Sequence, residues 1–185
     1  WEKVLASLFL SVTPRTAGFN TLDYGAMNNL TLLATIILMF IGASPGSTGG
    51  GIKTSSLGVL LALSRARLTG AEHVHVFKRS VSDETINRAF GIFVVSVVIV
   101  MLGTAVLLIT EARDVSVKAS RGLFIELLFE TASAFGTVGL SMGVTPSLTA
   151  WGKFLLVLIM FTGRLGPLVI AMAIQPSPGK AKYFY

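Results

Sequence analysis

Cysteine is absent from all 185 residues, which excludes disulfides, thiolate metal sites and cysteine nucleophiles within the chain. Charge is scarce as well. Asp, Glu, Lys and Arg make up 13% of the sequence against 52% hydrophobic residues, and the mean hydropathy is +0.76. A soluble domain of this length could not hide so much apolar surface in one core, so the bilayer is the expected solvent and membrane lipid the first partner. An initiator methionine and a cleavable leader are also lacking: the chain opens on Trp1, with no charged region ahead of a short apolar stretch. It reads as an internal piece of a longer protein. The charges that are present sum to +6. In a membrane chain such an excess gathers in cytoplasmic loops and sets orientation, so nucleic acid is not an expected partner.

What is present is organised around apolar runs. Ala89 to Ile109 is uncharged and bounded by Arg88 and Glu111, long enough to cross a hydrocarbon core about 30 Å thick. Trp151 to Ile174 would also span, although Arg164 lies near its middle and Pro167 shortly after. Ala26 to Gly42 is a third run. It is followed by Ala43, Ser44, Pro45, Gly46, Ser47, Thr48, Gly49, Gly50 and Gly51, and then by helix-like sequence from Ile52 to about Ser64. Glycine and proline at that density break the helix, and non-helical backbone at membrane depth is tolerated only where protein or a watery cavity satisfies it. Glu2 to Val12 and Gly122 to Phe135 are amphipathic, too short to span, and each ends in a threonine and glycine cluster, as re-entrant half-helices would. Arg65, Arg67, Lys78, Arg79 and Arg88, with Lys180 and Lys182 in the tail, mark the cytoplasmic side.

One offset relates two parts of the chain. Gly18 superposes on Gly139 (139 − 18 = 121), and the same shift brings Thr16 onto Thr137 and Met39, Phe40 and Gly42 onto Met160, Phe161 and Gly163. Each unit reads as half-helix, Thr-x-Gly turn and spanning helix. The turns are Thr16-Ala17-Gly18-Phe19-Asn20 and Thr137-Val138-Gly139-Leu140-Ser141, and the second echoes the Thr-Val-Gly of potassium channels. A dehydrated cation needs several oxygens to replace its water shell, and glycine permits backbone angles that aim successive carbonyls inward. The expected ligands are the backbone carbonyls of Thr16, Ala17, Gly18, Thr137, Val138 and Gly139, with Ala17, Val138, Phe19 and Leu140 packing behind. Neither turn holds Asp or Glu, so a charged ring is not the expected device. The negative ends of the half-helix dipoles favour a cation instead, by up to about 2 kcal/mol.

A charge at mid-bilayer costs at least about 2.5 kcal/mol, so Arg164 is expected to face protein or water. The offset places it at Ala43, where its guanidinium could reach the carbonyls freed by the break. Either it helps the 43–51 loop act as a gate or it only satisfies buried carbonyls. Lys53 could face the inner cavity or snorkel to the cytoplasmic surface. Arg15 is expected to pair with a neighbouring acid or carbonyl, and Glu126 and Glu130 to anchor the second half-helix or attract cations. His73 and His75 lie in the charged connection with no third metal ligand in sight.

Thr-Ala-Gly-Phe-Asn-Thr from Thr16, Gly-Ala-Ser-Pro-Gly-Ser-Thr-Gly-Gly-Gly-Ile-Lys from Gly42 and Phe-Thr-Gly-Arg-Leu-Gly-Pro from Phe161 together resemble the Trk/Ktr/HKT superfamily of potassium transporters, in its KtrB/TrkH-type bacterial membrane subunits. The resemblance covers essentially the whole chain. It implies an all-α integral membrane fold, with repeats of helix, re-entrant pore half-helix and helix around a central ion pore and one broken transmembrane helix. Residues 1–69 would be the third repeat without its first helix, 70–87 a cytoplasmic connection and 88–185 the fourth repeat. It also implies filter positions at Gly18 and Gly139, a gating loop over 43–51 and an inner-pore arginine at Arg164. The expected setting is a multi-pass protein of the bacterial inner membrane, a homodimer resting on a cytosolic ring of nucleotide-binding regulatory subunits. Potassium, with sodium possible, is cargo, and no resident cofactor is expected.

Two other readings fare worse. Gly46 to Thr54 has the glycines of a phosphate-binding loop, but Ile52 separates Gly51 from Lys53 where a Walker A sequence needs Gly next to Lys; an enzyme is not expected. A small-solute carrier or membrane scaffold could use the broken helix as a midplane binding site, yet would have no use for the paired turns.

Overall fold

A computed structural model of the chain describes residues 1–70, 74–76, 79–111 and 117–166. Lys78, His73, Pro167, Lys180 and Lys182 lie outside the described residues. Helix α1 covers Glu2–Val12, α2 Asn29–Phe40, α3 Thr54–Leu68, α4 Asp83–Glu111, α5 Val117–Gly136 and α6 Ala150–Leu165. The charged connection holds a short antiparallel pairing of β1, His75–Val76, with β2, Arg79–Ser80, which the sequence did not signal.

Apolar length dictates the longest element. Among the described residues α4 is the helix long and apolar enough to cross a membrane, and much of its surface stays open. It starts six residues before the uncharged run (89 − 83 = 6), because Asp83 and Glu84 suit the positive end of a helix dipole and Glu84 pairs with Arg88 at 2.6 Å. Helix α5 likewise extends beyond the expected Gly122–Phe135. It is the central element, packed against α2, α4 and α6. Leu127, Phe135, Leu156, Ile159, Val100 and Leu107 bury one side of it, and Phe129 and Ala132 meet Tyr24, Leu32 and Met39 on another.

The expected run Trp151 to Ile174 is not one continuous helix. α6 stops at Leu165, and Gly166 leaves the helix with φ 80°; a residue before proline is disfavoured in α geometry, and glycine adopts the left-handed alternative without a Cβ penalty. Arg164 therefore sits in the last helical turn rather than mid-helix, the end where a cation is favoured by the dipole.

The repeat is present in three dimensions. The offset of 121 carries the 3-10 turn Tyr24–Ala26 onto the 3-10 turn Thr145–Ser147 (145 − 24 = 121) and the start of α2 onto the start of α6 (150 − 29 = 121). It also matches the caps: Asn28 accepts from Thr31 N–H at 2.9 Å, and Thr149 from Gly152 N–H at 3.2 Å.

Candidate functional site

Each half-helix runs into a turn whose backbone departs from ordinary geometry at the same two places. Thr16 and Thr137 have φ of 66° and 52°, the only non-glycine residues with positive φ among the described residues, and Gly18 and Gly139 have φ of 71° and 89°. A β-branched side chain in the left-handed region costs on the order of 1–3 kcal/mol and persists only where its surroundings impose it. The residue between, Ala17 or Val138, keeps a negative φ. Alternation of this kind turns successive amides to one side of the strand and their carbonyls to the other. The two turns are neighbours. A Cβ on Gly18 would overlap the Val138 carbonyl oxygen, and one on Gly139 would lie 4.0 Å from the Gly18 Cα. Val138 and Leu140 are buried behind the second turn, whereas Ala17 and Phe19 of the first are exposed, contrary to the expectation that all four pack away.

The broken stretch between α2 and α3 is a compact excursion with its ends tied. Ile41 and Ile52 form a parallel bridge, Ile52 N–H donates to the Phe40 carbonyl at 3.2 Å, and a Cβ at Gly42 would overlap the Gly50 carbonyl. Its returning limb lies against both strained threonines. Gly50 N–H donates to Thr137 Oγ1 at 3.0 Å, a Cβ on Gly50 would come within 2.8 Å of that oxygen, and one on Gly49 within 2.9 Å of Thr16 Oγ1. Only residues without a side chain fit here. Ala43 keeps contact with the far limb by accepting from Thr54 N–H at 3.4 Å, while Ser44, Pro45, Gly46, Ser47 and Thr48 form an exposed turn. The Lys53 Nζ bends back and donates to the carbonyls of Ser47 at 3.0 Å and Gly49 at 2.6 Å.

A family profile described as TrkH, cation transport protein, matches residues 2–183. The chain belongs to the TrkH family. It is 45% identical over 93% of its length to the Ktr system potassium uptake protein B of Bacillus subtilis, covering 37% of that protein, and 37% identical over its full length to the potassium/sodium uptake protein NtpJ of Enterococcus hirae, covering 40%. Its fold is similar to the crystal structure of the potassium transporter TrkH from Vibrio parahaemolyticus, with a TM-score of 0.72 at 20% identity, over 92% of this chain and 36% of that one. The chain thus spans about two fifths of the length of the curated relatives it matches, and its fold is that of an integral membrane transporter.

In this TrkH-family chain several charged residues lie elsewhere than their sequence suggested. Arg164 is exposed and makes no hydrogen bond or ion pair among the described residues. Two of the loop carbonyls that its guanidinium could have reached, those of Ser47 and Gly49, are taken by Lys53. Its backbone is nonetheless close to the loop: Gly163 packs on the Phe135 carbonyl and Gly50 on the Gly136 carbonyl, so both converge on the end of α5. The Arg15 side chain is exposed and pairs with neither an acid nor a carbonyl among the described residues. Glu126 is half-buried, and Glu130 is an anchor: its carboxylate takes hydrogen bonds from Ser141, Met142 and Thr145. Glu111, read only as the boundary of a span, caps α6 by accepting from Thr149 N–H at 3.0 Å and Thr149 Oγ1 at 2.6 Å. Its signal in sequence was a carboxylate placed where a span ends, with nothing to say which helix start it would meet.

Proposed function

We propose that this chain forms part of a potassium pathway in a bacterial inner-membrane transporter, with residues 1–69 and 88–185 as two adjacent pore repeats joined by a cytoplasmic connection over 70–87. The carbonyls of Thr16, Ala17, Gly18, Thr137, Val138 and Gly139 replace water around the ion. Phe19, Asn20, Leu140 and Ser141 continue the two strands toward the mouth. A left-handed threonine and a left-handed glycine in each of two neighbouring turns support this reading above all, because that alternation lines carbonyls along one side of a strand. The names of the relatives agree on potassium, and NtpJ adds sodium as a second possible cargo.

In the same reading the loop from Ala43 to Gly51 is the gate. Its returning limb, at Gly49 and Gly50, sits on Thr16 and Thr137 at the inner end of the turns, and Lys53 holds it there while its own charge opposes cation entry. Arg164, exposed beside the same helix end, adds to the barrier. The full-length protein would work as a homodimer on a cytosolic nucleotide-binding ring that acts on this loop.

Uptake of rubidium into liposomes bearing the full-length protein tests the pathway. Saturable, potassium-competed uptake that disappears on Gly139→Ser is expected, since serine cannot hold φ 89° cheaply. Uptake indifferent to that substitution would instead favour a carrier that uses the broken helix alone.

A further inference from the structure

The two turns match in backbone but not in what braces them. Behind the second stands Glu130, only 5% exposed, on the last turns of α5. Its carboxylate accepts hydrogen bonds from the Ser141 hydroxyl, from Met142 N–H at 3.2 Å and from the Thr145 hydroxyl at 2.8 Å. Ser141 Oγ in turn accepts from Gly143 N–H at 2.9 Å, where the chain reverses with φ 91°. One buried anion thus ties the half-helix to the strand two residues beyond Gly139. The offset of 121 puts Phe9, Asn20 and Tyr24 at the corresponding positions of the first unit. Phe9 has no acceptor to offer, and the Tyr24 hydroxyl is buried without a hydrogen-bond partner. The first turn is held by a lighter device, Thr13 Oγ1 donating to the Phe19 carbonyl at 2.7 Å.

We propose that Glu130 is a positioning residue that sets cation preference: by fixing Ser141 and Met142 from behind, its carboxylate fixes where the Val138 and Gly139 carbonyls can stand. The inference rests on the filter reading of those carbonyls. A ring of carbonyls that selects by ion size does so by keeping its oxygens from closing in on the smaller ion. Hydrogen bonds to a charged acceptor in a buried site are the strong, short kind that supply such stiffness. Without the carboxylate, two hydroxyls and an amide lose their acceptor, and the strand must shift to find others. Glu130 does not touch the ion; it acts through Ser141 and Met142.

The test uses the full-length protein in liposomes, with rubidium uptake measured against competing potassium and sodium. Glu130→Gln keeps the shape but loses the charged acceptor, and is expected to reduce the preference for potassium over sodium about tenfold, with maximal uptake per folded transporter largely kept. Ser141→Ala combined with Thr145→Val removes the donors from the other side. That pair should reproduce the shift, and adding Glu130→Gln to it should produce no further loss, as expected of groups that act as one unit. If Glu130→Gln fails to assemble, the double variant decides. A lower yield or lower maximal uptake with the preference unchanged would make Glu130 a purely structural residue and overturn the proposal. A wild-type protein with no saturable, potassium-competed uptake would instead overturn the filter reading on which it rests.

Discussion

At the scale of single residues, Thr16 and Thr137 carry the most unusual local chemistry in the chain. Each is β-branched and left-handed, and each lies against a loop glycine that leaves room for nothing larger than hydrogen. The Gly50 amide bonded to Thr137 Oγ1 gives back part of the strain and seats the loop at the same time. Lys53 is the second fixing point, through two charge-assisted bonds to carbonyls of its own loop. Lys53→Met, which keeps the apolar stem and removes the ammonium, is therefore expected to raise rubidium efflux from loaded liposomes about tenfold, the equivalent of one such bond. Arg164→Ala should raise it less, since Arg164 makes no hydrogen bond to the loop. Efflux unchanged in both variants would contradict the gate. Glycine spacing made the turns and the loop legible from sequence, because few other residues tolerate those angles. The strain at the threonines was not legible, since threonine ordinarily avoids positive φ, and neither was the destination of Lys53, a flexible cation that could reach a cavity, the surface or its own backbone.

At the scale of elements, the two units share their 3-10 turns and the starts of their second helices to the residue, so the repeat was readable as a single offset. Ends set by tertiary partners were harder to read. Glu111, on α4, accepts from the open amide of Thr149 at the start of α6, where a negative charge also meets the positive end of the helix dipole. Helix α6 stops at Gly166 because glycine before proline leaves the helix there, a stop that Pro167 marked in a run whose apolar residues continue past it. Glu111→Gln is expected to loosen the docking of α6 on α4 by about 1–2 kcal/mol. The check is the thermal midpoint of the full-length protein in detergent, which should fall by several degrees; an unchanged midpoint would show that α6 is held by its apolar face alone.

At the scale of the whole molecule, α5 organises everything else. Its flanks carry α2, α4 and α6, its end delivers Thr137 to Gly139 beside Thr16 to Gly18, and its last carbonyls receive both the loop and Gly163. The apolar residues Val4, Leu5, Leu8 and Val12 of α1 remain exposed among the described residues, as do Val98, Met101 and Leu102 of α4, and open apolar surface of this extent suits a chain surrounded by lipid and further protein. The central claim is that main-chain oxygens of the two turns hold the ion. Crystals of the full-length protein grown in rubidium or thallium salts test it most directly, through the anomalous scattering of the bound ion. Peaks are expected on the pore axis that both turns face, at coordination distance from the carbonyls of Ala17, Gly18, Val138 and Gly139. Ordered ions found only against side chains elsewhere, with none on the axis faced by Gly18 and Gly139, would contradict it.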